Sequence, residues 1–71
     1  MSRIYKHSKT ENLYLLLYNA KETTNATPVI VYQELYGDNQ IWVRPESEFY
    51  EYVEINGEKK LRFDNISIKK L

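Results

Sequence analysis

With 71 residues and no cysteine, the chain has room for one small core and neither disulfides nor thiolate zinc to staple it, which argues against a deep enzyme pocket made at the core's expense. Its ten acidic and ten basic side chains cancel, yet residues 33–58 hold seven carboxylates against one base, Arg44, a polarity able to steer a charged partner. No apolar run reaches the roughly 18 residues of a membrane span, and residues 1–7 lack the apolar stretch of a signal peptide, so a single cytoplasmic domain over residues 1–71 without a membrane partner is expected.

Residues 3–7 read as a short extended segment and residues 8–12 as a polar connection. His7 is the only histidine. A lone imidazole without cysteine predicts a hydrogen-bonded structural residue, with no metal and no cofactor. Residues 13–19 are apolar on both parities, which fits a central strand with Tyr14, Leu16 and Tyr18 on one face and Leu13, Leu15 and Leu17 on the other. Residues 20–28 form a polar loop closed by Pro28, whose ring biases Thr27 to extended geometry.

Residues 29–36 return as a strand and turn into residues 41–45. A three-residue loop of Gly37, Asp38 and Asn39, with Asn39 left-handed, pairs Leu35 with Ile41, Gln33 with Val43 and Val31 with Pro45. That aliphatic face is assigned to the core. The same register sets Tyr36 opposite Gln40, Glu34 opposite Trp42 and Tyr32 opposite Arg44. Pro45 suits a first helical position, with Glu46 and Glu48 in the opening turn and Phe49 as its buried anchor.

Asn56-Gly57 is the strongest hairpin signal in the chain. A two-residue loop there pairs Glu54 with Lys59, Glu51 with Arg62, Tyr52 with Leu61 and Tyr50 with Phe63. A rival three-residue loop pairs Val53 with Leu61 and Glu54 with Lys60. Residues 64–71 form either an edge strand or a frayed tail. These elements predict a mainly β fold: a small twisted antiparallel sheet or SH3-like barrel of about five strands with one short helical turn.

No catalytic, metal or cofactor motif is present. The candidate ligand-binding face is Tyr32, Glu34, Tyr36, Trp42 and Arg44. Such a face points to a non-catalytic binding module for an extended or flat anionic ligand, whether peptide, single-stranded nucleic acid or small metabolite, because rings stack on flat groups and an Arg fork selects anions. A phosphate track would need Lys59, Lys60, Arg62, Lys69 and Lys70 nearby. The competing readings are a second layer that buries these rings as core, and a small enzyme or enzyme subunit acting on an anion through Arg44 with a Tyr hydroxyl or Glu34. Exposure of Trp42 discriminates between platform and core. A homodimer through a sheet edge is a further expectation.

The runs Val31-Tyr32-Gln33-Glu34-Leu35-Tyr36-Gly37-Asp38, Ile41-Trp42-Val43-Arg44-Pro45 with Phe49, then Val53-Glu54-Ile55-Asn56-Gly57 and Arg62-Phe63, resemble the small bacterial proteins of domain-of-unknown-function family 1653. The resemblance runs from Tyr5 to Ile66 and implies relatives without a mechanism. Members typically carry a Tyr-Lys-Gly-Asn turn after the early His, where this chain has Ser8-Lys9-Thr10-Glu11-Asn12. They also commonly carry His-Ser-Glu-Thr after the first long strand, where this chain reads Glu22-Thr23-Thr24-Asn25. Either that phrase is a structural turn, or this member has lost or altered an activity based on its imidazole.

Overall fold

The computed structural model describes residues 3–66. Strands β1 (Ile4–His7), β2 (Leu13–Glu22), β3 (Thr27–Glu34) and β4 (Ile41–Pro45) are followed by the one-turn helix α1 (Glu46–Phe49), then β5 (Tyr52–Ile55), β6 (Glu58–Leu61) and β7 (Phe63–Asn65). Five strands form an antiparallel sheet in the order β4-β3-β2-β1-β7, and β5-β6 form a separate hairpin. Among the described residues β4 and β7 stand at opposite edges, so the sheet is open and not a closed barrel, and the strands number seven where about five were expected. The expected edge strand at the tail exists as β7, paired with β1; the remainder of that segment, residues 67–71, lies outside the described residues.

The second hairpin follows its turn chemistry. Asn56 and Gly57 take φ of 53° and 81°, the paired left-handed geometry of a tight two-residue turn. Glu54 then opposes Lys59, and Tyr52 opposes Leu61. The pairing runs one step further: the Arg62 amide donates to the Glu51 carbonyl at 2.9 Å, and the Arg62 guanidinium reaches the Glu51 carboxylate at 2.8 Å. Tyr50 does not meet Phe63 across the ladder. Phe63 crosses to the large sheet instead and pairs with His7.

The first long hairpin departs from expectation in register. Strands β3 and β4 pair Tyr32 with Trp42, Val31 with Val43 and Val29 with Pro45, two residues away from the expected alignment. Side chains compete with the backbone at the turn. Asn39 Nδ2 donates to the Glu34 carbonyl at 3.0 Å, and the Gln40 amide donates to the Glu34 carboxylate at 3.2 Å, so residues 35–39 leave the ladder as a wider loop. Asn39 is left-handed, with φ of 55°. A two-residue slip preserves which side chains share a face.

The face that carries the core is the opposite of the one expected. Tyr14, Leu16, Ile30, Tyr32, Phe49 and Phe63 form the buried cluster, with Tyr5 packed against it. The aliphatic side is left open, with Ile41 48% and Val43 62% exposed. Alternation creates two faces but does not say which one receives cover. Here α1 follows β4 directly and lays Phe49 on the aromatic side, edge-on to Tyr5 and Tyr32 at 5.3 Å each.

Tyr18 also moves away from its expected face. A bulge shifts the β2-β3 register between Leu16 and Tyr18, so Tyr18 opposes Val31 on the open side and is 67% exposed. One extra residue on one strand inverts every side chain beyond it. Pro45 closes β4 as the residue before the helix, with φ −54° and ψ 139°, and Glu46 takes the first helical position expected for Pro45.

Candidate functional site

Beyond the rim of the aromatic core, strands β3 and β4 present a cleft of about 310 Å³ lined by the five residues Tyr32, Glu34, Tyr36, Trp42 and Arg44 together with His7, Thr10, Asn12, Tyr14 and Phe63. Tyr32 and Trp42 are direct cross-strand partners. Glu34 and Arg44 sit one step away on the same face, because alternate residues of a strand share a side. Their contacts therefore survive the register slip as diagonals. The Trp42 indole N–H donates to the Glu34 carboxylate at 2.8 Å, and Arg44 Nε donates to the Tyr32 hydroxyl at 3.2 Å. Tyr36 arrives from the widened loop, its hydroxyl 2.7 Å from that of Tyr14.

Trp42 is 49% exposed, so its ring is neither core nor free: one edge is held by Glu34 and much of its surface faces solvent. Arg44 lies over the Phe63 ring, its guanidinium carbon 5.7 Å from the centroid. Among the described residues, its terminal nitrogens make a loose ion pair with Glu48 at 3.8 Å. Both Glu34 carboxylate oxygens are engaged, one by Trp42 and one by the Gln40 amide.

His7 belongs to this cleft although the sequence marks it only as structural. Its ring stands edge-on to Phe63 at 5.0 Å, and its Nδ1 accepts from the Lys9 and Thr10 amides at 3.2 and 3.4 Å. Those bonds leave the proton of the neutral ring on Nε2. Burial, then the positive charges of Arg62, Arg44 and Lys9, hold its pKa below 6.5. Burial and the bond to Tyr36 push the Tyr14 hydroxyl well above its ordinary pKa. Tyr14, Phe63, Thr10 and Asn12 had no sequence signal as site residues, since strand pairing across 20 or more positions is what assembles them.

The two segments that the resemblance singles out, residues 8–12 and 22–25, behave differently. Glu11 takes φ of 66°, the conformation that a Gly in a Tyr-Lys-Gly-Asn turn accommodates without a Cβ penalty. Glu22 closes the β2-β3 turn, its carboxylate accepting from the Thr24 and Asn25 amides at 3.0 and 3.4 Å. A side-chain hydrogen bond from Thr24 first, and then those amide bonds, lower its pKa. Residues 22–25 do not line the cleft. Among the described residues, no group of three or more His, Asp or Glu side chains is placed to hold a metal ion, and no helix is long and apolar enough to cross a membrane.

A crystal structure of a protein of the DUF1653 family from Bordetella bronchiseptica is similar to this chain, with 25% identity and a TM-score of 0.81 over 92% of this chain and 85% of that one. No curated protein matches. Residues 3–65 match the family described as "Protein of unknown function (DUF1653)", and the match spans nearly the whole chain, so the protein belongs to that family.

Proposed function

We propose that the protein is a non-catalytic binding module whose cleft takes a flat group bearing an anion. The observation that carries this reading is the gathering of Tyr32, Tyr36, Trp42 and Arg44 around one cleft in which Trp42 is half exposed. A ring held by Glu34 loses little freedom on stacking, which favours affinity. The terminal nitrogens of Arg44 supply the fork that a carboxylate or phosphate matches. Catalysis draws less support: the Tyr14 hydroxyl stays protonated, and Glu34 has both oxygens in use.

The test is a titration followed by Trp42 fluorescence and by amide chemical shifts, with a nucleoside monophosphate, an oligothymidylate and an acidic tyrosine-containing peptide as probes. Binding should perturb residues of the cleft. Trp42→Ala should abolish it, and Arg44→Lys, which keeps charge but loses the planar fork, should weaken it about tenfold. Shifts confined to other surfaces, or an Arg44→Lys variant that binds as tightly as wild type, would reject the cleft.

A further inference from the structure

The exposed edge of the large sheet is a second, independent feature. Hydrogen bonds fix which backbone groups of β4 face outward. The Leu35 amide donates to the Leu13 carbonyl on β2, and the Glu34 amide donates to the Gln40 carbonyl on the β4 side. Odd residues of β3 therefore bond to β2 and even residues to β4. With Tyr32 opposite Trp42 and Ile30 opposite Arg44, Trp42 and Arg44 turn their backbone groups inward. Ile41 and Val43 turn theirs outward, to a side where β4 has no neighbouring strand among the described residues. The Ile41 carbonyl is consistent with this direction, since it accepts from the neighbouring Gln40 side-chain amide at 3.0 Å.

An open edge is usually guarded by charge, proline or a bulge. Strand β6 has such a guard in Glu58, Lys59 and Lys60. The Ile41-Trp42-Val43 stretch has none: Pro45 acts only at the end of the strand, and Arg44 is drawn to Tyr32 and Glu48.

We propose that two copies of the chain pair antiparallel through β4, with Ile41 of one opposite Val43 of the other and the two Trp42 side chains facing each other across the two-fold axis. This alignment is self-complementary. It uses the outward amide and carbonyl of both Ile41 and Val43 in each copy, and it needs no amide from Pro45. No charge opposes a like charge within residues 41–43, and Ile41 and Val43 join the open aliphatic faces of the two sheets into one surface. An antiparallel partner of the same sequence is thus matched at every position of the stretch, whereas a foreign strand would have to supply that match. A pairing of three residues falls short of the roughly 1,200 Å² typical of a stable interface, so the dimer is weak and belongs to high protein concentration.

The chain has no cysteine, which makes single-cysteine cross-linking clean. In the proposed pairing position 42 meets its own copy at a non-hydrogen-bonded pair, which brings the two Cα atoms within disulfide reach. Trp42→Cys should therefore oxidise to a covalent dimer at least tenfold faster than Tyr52→Cys, a control at a residue 61% exposed on the other hairpin. Sedimentation equilibrium of the wild type up to about 1 mM should show self-association. Val43→Pro, which removes an outward amide and no β3-β4 bond, and Val43→Lys, which adds a guard, should each weaken it at least tenfold with the circular dichroism spectrum retained. A wild type that stays monomeric over that range, or equal cross-linking rates at the two positions, would overturn the pairing. So would a monomer that accepts an unrelated β-strand peptide at this edge.

Discussion

The Phe49 ring lies stacked on the Phe63 ring, centroids 4.3 Å apart and planes 7° from parallel. The other ring contacts of these two residues are edge-on or nearly so. One ring comes from the helix after β4 and the other from the strand after the second hairpin, so this pair joins the two distant ends of the sheet. Arg62 supports the same junction, its Nε donating to the Glu48 carbonyl at 3.3 Å and its guanidinium meeting Glu51. Both rings are almost fully buried.

Phe49→Ala should cost about 3–5 kcal/mol, the range for deleting a buried phenyl ring. That is most of the stability of a domain this small. Urea denaturation followed by circular dichroism measures it, and a loss below about 1 kcal/mol would place the ring at the surface.

Glu11→Gly should stabilise the fold by about 0.5–1 kcal/mol. The left-handed φ of 66° at Glu11 penalises any side chain with a Cβ, and removing it outweighs the added freedom of glycine in the unfolded chain. Thermal and denaturant midpoints should both rise. An unchanged midpoint would mean that the local strain is negligible.

The pH dependence of stability should carry a His7 component of defined sign. Burial first, then nearby cations, hold the folded pKa below the 6.5 of an unfolded imidazole, so the unfolded chain binds the proton more readily. His7 thus contributes stability that is fully present above about pH 6.5 and is lost as pH falls through the lower folded value. The fall in denaturation midpoint between pH 7.5 and pH 5.5 should be shallower in His7→Asn than in wild type. The His7 ring protons of the folded protein should titrate with a midpoint below 6.5.

Glu34→Gln should loosen Trp42 with little change in stability. A glutamine keeps one acceptor for the indole or the Gln40 amide but places a donor against the other. The bond sits at an exposed position, so the cost in stability should stay within about 1 kcal/mol. The indole N–H resonance should move, and Trp42 fluorescence anisotropy should fall. An unchanged indole resonance would show that the bond does not hold in solution.

The sequence by itself determined the features governed by near neighbours. Asn56-Gly57 marks a turn, and of the two loop lengths the sequence leaves open, the two-residue one that aligns Glu54 with Lys59 and Glu51 with Arg62 is the one formed. Alternation along residues 29–34 and 41–45 likewise sorts Tyr32, Glu34, Trp42 and Arg44 onto one face, and a slip of two residues leaves that sorting intact. Tertiary structure decided what depends on distant parts of the chain. Which face is covered follows from where α1 and β7 deliver Phe49 and Phe63, and alternation is blind to that choice. The turn at residues 35–39 widened because the Glu34 and Asn39 side chains bond the backbone at its mouth. Tyr18 changed sides at a bulge that composition does not signal. His7 entered the cleft because β1 lies between β2 and β7, a pairing that spans nearly the whole chain and is selected by the energy of the closed core, not by any local preference.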